Sequence, residues 1–339
     1  MLSRHYTLSR DGSSLTLNQA TRLVPELAPS QILINVRAAS LNYRDLLNRG
    51  DVDGTRDGLV PLSDAAGVVA AIGSSVTRWK IGDRVSPNFF PAWLGGAFSP
   101  AHLSNALGGG QTDGVLAEYI VVDQAAAVAI PDHLSFVEAA TLPCAGVTAW
   151  HALFERGNVQ AGETILVQGT GGVALFGLQL AVAQGARVIV TSSSDAKLER
   201  ASALGAWKTI NYKSQADWDQ AAIALTDGQG VDHILELGGP DTYDRSIAAI
   251  ASGGQIAQIG VLSGFGAQPN LTPLQFKNAS INGICVGSVE HYERLNAFVA
   301  EHKIHPIVNE VFAFDDAPLA YDRLRAASHF GKIAIAFDQ

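Results

Sequence analysis

Thr164-Ile165-Leu166-Val167-Gln168-Gly169-Thr170-Gly171-Gly172-Val173-Ala174-Leu175-Phe176-Gly177 is the stretch whose reading decides the fold. A short β-branched run leads into Gly169-x-Gly171-x-x-Ala174. An apolar helical pattern through Val173, Leu175, Leu178 and Val182 follows at once. Strand, glycine turn and helix in that order form the context in which a dinucleotide fingerprint has a mechanism. Gly169 permits the tight turn, and Gly171 removes the side chain that would keep the backbone from a pyrophosphate. Ala174 allows close helix–strand packing. The helix N-terminus then presents free N–H groups and a partial positive charge to the anion.

Reading outward, strands alternate with helical patterns at Thr164–Gln168, Arg187–Thr191, Val231–Leu235 and Gln255–Ile259. That alternation signals βαβ units and a parallel sheet, an α/β fold. Residues 1 to about 125 instead read as β-rich, with Gln31–Arg37, Gly67–Gly73 and Glu118–Val122 as strands. Ser135-x-x-Glu138 is a capping box that opens an apolar helix. The tail predicts a helix at His291–His302, a strand near Glu310–Phe314, a helix at Ala317–Ala326 and a strand at Lys332–Phe337. The expected division is 1–126, 127–271 and 272–339. Between Pro87 and Gly114 lies a long loop carrying Phe89, Phe90, Trp93 and Phe98. Two readings of it stand: a functional or mobile loop, or an excursion that tucks its aromatics onto the core.

With 339 residues the chain is long enough for two domains, and 47% hydrophobic content supplies a core for each. Two cysteines, Cys144 and Cys285, make neither a disulfide framework nor a paired metal motif. The first residues lack a signal-peptide core, and no run of about 18 apolar residues predicts a membrane span. A net charge of −9 argues against a nucleic-acid surface. The expectation is a cytoplasmic protein with a small-molecule ligand, without nucleic-acid or membrane partners.

Enzymes that prefer NAD carry an acidic residue at the end of the second strand, about 20 residues beyond the glycines, for the ribose 2′-hydroxyl. This chain has Ser192-Ser193-Ser194 followed by Lys197, which suit a 2′-phosphate. Tyr212, at the end of the next short strand, is placed to close the adenine side. NADPH is therefore the expected cofactor. The alternative is that Ser194 or Asp195 serves as a helix cap, and Asp195 is also within reach of a ribose.

The chain resembles the medium-chain dehydrogenase/reductase superfamily, and within it the zinc-free, quinone-oxidoreductase-like branch. The resemblance rests on Leu41-Asn42-Tyr43-Arg44-Asp45, Asp64-Ala65-Ala66-Gly67, Gly82-Asp83-Arg84-Val85, Gly114–Tyr119, Ala139–Pro143, Thr148-Ala149-Trp150, the glycine fingerprint and Gly331-Lys332-Ile333. It implies a Rossmann dinucleotide-binding domain inserted in a GroES-like β-barrel catalytic domain, with an active-site cleft between them. It also implies a homodimer formed through the edge strand at Ser280–Val286. The implied cofactor set is Thr148, Gly169, Thr170, Gly171, Gly172, Val173, Ser192, Ser193, Lys197, Tyr212, Gly238, Ile259, Gly331 and Lys332.

Zinc-dependent members place a catalytic cysteine where this chain has Asn42, and Gly-His-Glu where it has Leu62-Ser63-Asp64. Cys144 alone stands at a position resembling a ligand, and one thiolate cannot hold zinc. His302-x-x-His305 has ligand spacing but reads as solvated histidines, so no metal is expected. Losing a metal's ~4 kcal/mol of carbonyl polarisation would cost about a thousandfold in rate. A metal-free site therefore suits enones or quinones, with Asn42 and Tyr43 as catalytic residues: Asn42 orients, and Tyr43 gives a proton or an oxyanion contact. Asn42 as a helix cap and Tyr43 as a packed core residue are the alternatives. Arg44 and Asp45 read as an ion pair, Asp64 as a structural hydrogen-bonding group and Cys144 as an inert thiol. Two other functions compete: an NAD(P)-dependent alcohol dehydrogenase or carbonyl reductase, and a non-catalytic NADPH-binding protein.

Overall fold

The computed structural model describes residues 1–51, 53–266 and 268–337. In chain order its strands are β1 (Leu2–Asp11), β2 (Ser14–Leu23), β3 (Gln31–Ser40), β4 (Asp64–Ile72), β5 (Arg84–Pro87), β6 (Tyr119–Asp123) and β7 (Ala127–Ala129). They continue as β8 (Thr164–Gln168), β9 (Arg187–Ser192), β10 (Lys208–Asn211), β11 (Val231–Glu236), β12 (Ile250–Gln258), β13 (Ser280–Gly283), β14 (Val308–Ala313) and β15 (Lys332–Ala336). No helix among the described residues is long and apolar enough to cross a membrane.

The chain divides into a discontinuous unit, Met1–Val147 with Gly287–Gln339, and an inserted unit, Thr148–Val286. These edges lie beyond the expected 126/127 and 271/272, and pairing gives the reason. β7 pairs with β5, so the residues just past 126 stay with the first sheet. β13 pairs with β12, so the inserted unit runs past 271.

In the discontinuous unit, β1 and β2 form an antiparallel hairpin. A second sheet has the order β14-β15-β3-β4-β5-β7, with β6 also paired to β3. The tail thus returns to complete the sheet, as β15 lies antiparallel against β3. The core of this unit gathers Ile32, Ile34, Val36, Val69 and Val85 with Tyr321, Ile333 and Ile335 from the tail. The capping box at Ser135 and Glu138 forms as expected and starts the short helix Phe136–Ala139. Phe89, Phe90 and Trp93 of the long loop are buried, with Phe89 and Phe90 4.6 Å apart edge-to-face. Three of the loop's four aromatics are thus removed from water, while Phe98 remains 39% exposed.

In the inserted unit, six strands lie in the order β10-β9-β8-β11-β12-β13, all parallel. Counted within the unit this is the doubly wound order 3-2-1-4-5-6. β8 is buried along its whole length, as expected of a central strand covered on both faces. The order reverses between β8 and β11, so the ligand crevice of this fold lies beyond their carboxyl ends.

Candidate active site

Each unit holds a polar centre of its own. In the inserted unit β8 runs into Gly169, whose φ of +80° is the left-handed conformation that favours glycine. Its N–H donates to Thr191 O at 2.8 Å, tying the turn to the neighbouring strand β9. Gly171 caps the helix Gly172–Ala183, and a Cβ built on it would meet nothing within 4 Å. The space above the turn is open at the helix N-terminus, which fits a dinucleotide pyrophosphate. Ala174 is buried as the spacing predicts, and the sequence reading missed Gly177: a Cβ there would lie 2.3 Å from Leu235 Cδ1 of β11. A glycine inside a helical pattern was the available signal for that close approach.

Ser192 closes β9 and is buried, whereas Ser193 is exposed. Ser194 caps the helix Asp195–Ala203 by accepting from Lys197 N–H, so the cap reading holds for that residue. Asp195 accepts from Asn211 Nδ2 at 2.6 Å, which engages its carboxylate on β10. Tyr212 follows β10 and is partly exposed, Thr148 is buried, and Ile259 donates its N–H to Glu236 O at 3.0 Å. Gly238 does not present a free N–H: it donates to Gln168 Oε1 at 2.9 Å and Glu236 Oε1 at 3.0 Å. Gln168 and Glu236, both buried, were not among the expected site residues.

The discontinuous unit gathers Asn42, Asp45, Asp64, Cys144 and Lys332, residues far apart in sequence. Asn42 precedes the helix Tyr43–Gly50, and its N–H donates to Asp45 Oδ2 at 2.7 Å. Lys332, only 4% exposed, donates from Nζ to Leu41 O at 2.5 Å and to Asn42 Oδ1 at 2.6 Å. The same nitrogen lies 4.0 Å from Asp64 Oδ2. An ammonium has only donors, so this contact fixes which end of the Asn42 amide faces it. Asn42 Nδ2 is buried, close enough to Asp64 to help hold its charge, yet without a partner at full hydrogen-bond geometry.

Burial raises the Asp64 carboxyl above its ordinary value. Lys332, the Ser63 hydroxyl, the Asn42 amide and the Cys144 N–H oppose that rise. Burial also pushes Asp45 up to about 6, against the pull of the adjacent Arg44 guanidinium. Arg44 Nε lies 3.6 Å from Asp45 Oδ1, so the expected ion pair forms, and the guanidinium stacks over Phe89. Burial and then the Asp64 charge push the Cys144 thiol up, which keeps it protonated and inert. Leu62, fully buried beside Ser63, is held at φ +67°, a strained conformation for a leucine. Tyr43 is 42% exposed at the first turn of its helix, not packed in the core. His305 donates from Nδ1 to Glu138 Oε1 at 2.7 Å.

Comparison with known proteins places the chain. Residues 28–132 match the family profile of the alcohol dehydrogenase GroES-like domain, and residues 172–301 that of zinc-binding dehydrogenases. A zinc-type alcohol dehydrogenase-like protein of Schizosaccharomyces pombe is 43% identical over 331 residues, 93% of either chain. A quinone oxidoreductase of Pseudomonas aeruginosa is 32% identical, covering 91% of this chain and 92% of its own. A crystal structure from Sinorhizobium meliloti, assigned as an alcohol dehydrogenase, is 42% identical with a TM-score of 0.93 and covers 99% of both chains. The chain belongs to the medium-chain dehydrogenase/reductase superfamily: it is an oxidoreductase with a GroES-like domain and a Rossmann domain. Members of that family bind a nicotinamide dinucleotide.

The zinc implied by the profile's description finds no fitting donors here. Positions 42 and 63 hold an amide and a hydroxyl, Cys144 is held protonated, and the ammonium of Lys332 lies among them. A divalent cation would have to share that space with a positive charge. Among the described residues no group of three or more His, Cys, Asp or Glu is arranged to hold a metal ion.

Proposed function

We propose that this chain is an NADPH-dependent, zinc-independent oxidoreductase that reduces activated double bonds or quinones. The observation that carries the reading is the cation at the polar centre of the GroES-like unit, which is the Lys332 ammonium on Asn42 Oδ1. Without a Lewis acid, turnover depends on a substrate that spreads developing charge by conjugation, as enones and quinones do. When bound, the reduced dinucleotide supplies a hydride. With Oδ1 engaged by Lys332, the Asn42 amide is held in one orientation and serves to orient substrate or nicotinamide. Tyr43, exposed and next in sequence, delivers the proton that completes reduction.

The preference for NADPH is supported by Ser192 and Ser193 at the end of β9, by Lys197 in the first turn of the helix that follows, and by the engagement of Asp195 with Asn211. Thr148, Gly331 and Lys332 complete the proposed cofactor set on resemblance. A homodimer formed through β13, an edge strand of its sheet, is part of the same reading. A second reading, an alcohol dehydrogenase or carbonyl reductase, draws on the names of the Schizosaccharomyces pombe and Sinorhizobium meliloti relatives. It requires an acid beside a carbonyl oxygen, and Tyr43 or His102 would serve; His102 is stacked on Trp93 at 5.7 Å.

The deciding experiment is a stopped-flow panel pairing NADPH and NADH with enones, quinones and aldehydes. Rapid NADPH oxidation by enones or quinones, without added zinc, is expected. Ser193→Asp should shift the preference toward NADH by about tenfold or more through repulsion of the 2′-phosphate. Faster wild-type turnover with NADH overturns the cofactor assignment, and strict dependence on Zn²⁺ overturns the metal-free one. Tight NADPH binding with no oxidation across the panel would mark a non-catalytic protein.

A further inference from the structure

Glu236 ends β11 with 0% of its surface exposed, and no Lys, Arg or His among the described residues pairs with it. Neutral donors hold the carboxylate on every side. Oε1 accepts from Thr242 Oγ1 at 2.5 Å, Gly238 N–H at 3.0 Å and Gly239 N–H at 3.1 Å. Oε2 accepts from Gln168 Nε2 at 2.8 Å and from the Ser246 hydroxyl. Gln168 ends β8 and reaches back with its other end: Oε1 accepts from Leu237 N–H and Gly238 N–H, both at 2.9 Å. These two side chains therefore join the carboxyl ends of β8 and β11, the adjacent strands between which the sheet order reverses. Gln168 is also the residue before Gly169, so the clasp abuts the glycine turn itself.

We infer that the Gln168–Glu236 pair is a positioning device for the dinucleotide: it fixes the gap between the glycine turn and the 237–239 loop without contacting the ligand. This inference rests on the dinucleotide reading of the crevice and adds to it. The physical reason is the accounting of buried polar groups. The N–H groups of residues 237–239 cannot be left unpaired, and an acceptor bolted to β8 makes their placement follow the glycine turn. A loop paired only with itself could shift relative to that turn, and a misplaced crevice wall weakens binding without touching the chemistry. A carboxylate suits the role because it accepts several donors at once and none of its own protons competes.

The test is a double-mutant cycle on the full chain, Glu236→Gln, Gln168→Glu and the exchange of both, read by dinucleotide Kd and by KM against kcat. Glu236→Gln turns an amide N–H₂ toward existing donors and should raise Kd and KM for NADPH about tenfold, with a much smaller change in kcat at saturation. The exchange keeps one carboxylate and one amide in the clasp, so Kd should return to within about threefold of wild type. A structural role alone would lower the urea midpoint and leave Kd unchanged, and that result overturns the inference. Equal impairment of Glu236→Gln and the exchange overturns it too. If Glu236→Gln does not fold, Thr242→Val removes one donor to the same oxygen and should raise Kd about threefold; an unchanged Kd there refutes the proposal. Wild-type protein that binds neither NADPH nor NADH removes the dinucleotide reading, and this inference with it. Wild-type binding with an insensitive clasp removes the inference alone.

Discussion

The two polar centres solve the same problem in opposite ways. In the GroES-like unit two buried carboxylates, Asp64 and Asp45, face cations: Lys332 and Arg44. In the Rossmann unit the buried Glu236 faces hydroxyls, an amide and backbone N–H groups. A charge pair is strong but loosely directional, and losing one partner strands the other in a poorly solvating interior. A carboxylate held by dipoles alone is directional, because each donor fixes one lone pair. The first arrangement makes the fold depend on charge, whereas the second makes it depend on geometry.

The largest expected effect breaks the first arrangement. Lys332→Met leaves Asp64 buried without its cation and should cost ~3–5 kcal/mol in urea denaturation. Adding Asp64→Asn in the same chain should restore more than half. A loss below about 1 kcal/mol in the single variant would show that the pair is not what holds the centre.

The glycine turn sharpens the contrast from the other side. Gly171 has an extended backbone and open space about its Cβ, so Gly171→Val should leave the urea midpoint unchanged. The same substitution should weaken NADPH binding by about a hundredfold, because the side chain fills the pyrophosphate's place. Isothermal titration beside denaturation separates the two; a destabilised variant with normal affinity contradicts the assignment.

Charge dependence can be read in pH. Asp45 is raised from 3.8 to about 6 in the folded chain, so between those values the folded state binds the extra proton. Its contribution to stability is therefore lost as pH rises through that window. Asp45→Asn should gain on wild type by on the order of 2 kcal/mol between pH 4 and pH 7. Parallel stability curves for the two proteins would contradict the raised value. The smallest effect belongs to an ordinary helix cap: Ser194→Ala should cost ~1 kcal/mol, with no pH dependence, by thermal or urea melts.

Much of this architecture was legible in the chain. The glycine turn, the alternation after residue 164 and the capping box at Ser135 are local, and each reads from a few neighbouring residues. Ser194 as a cap and Arg44–Asp45 as an ion pair were legible for the same reason. The domain edges were less so: β7 is a three-residue strand assigned by its partner β5, and the run at Ser280–Val286, read as an edge strand, pairs with β12 of the inserted unit although the expected boundary lay before it. Lys332 was singled out, but its partners were not: Asn42 lies 290 positions away. Gln168 looked like the polar end of an apolar strand, and Glu236 like any acidic residue after one.

The sequence by itself determined the Rossmann topology, the place of the glycine turn and the residue types at positions 42 and 63, an amide and a hydroxyl. These depend on local backbone preferences, on periodicity and on residue identity, all carried in short windows. Only the tertiary structure decided that Lys332 meets Asn42 and that Gln168 meets Glu236. Both are hydrogen-bond assignments between residues distant in sequence, and a polar side chain's role is fixed by which buried donors and acceptors folding brings to it.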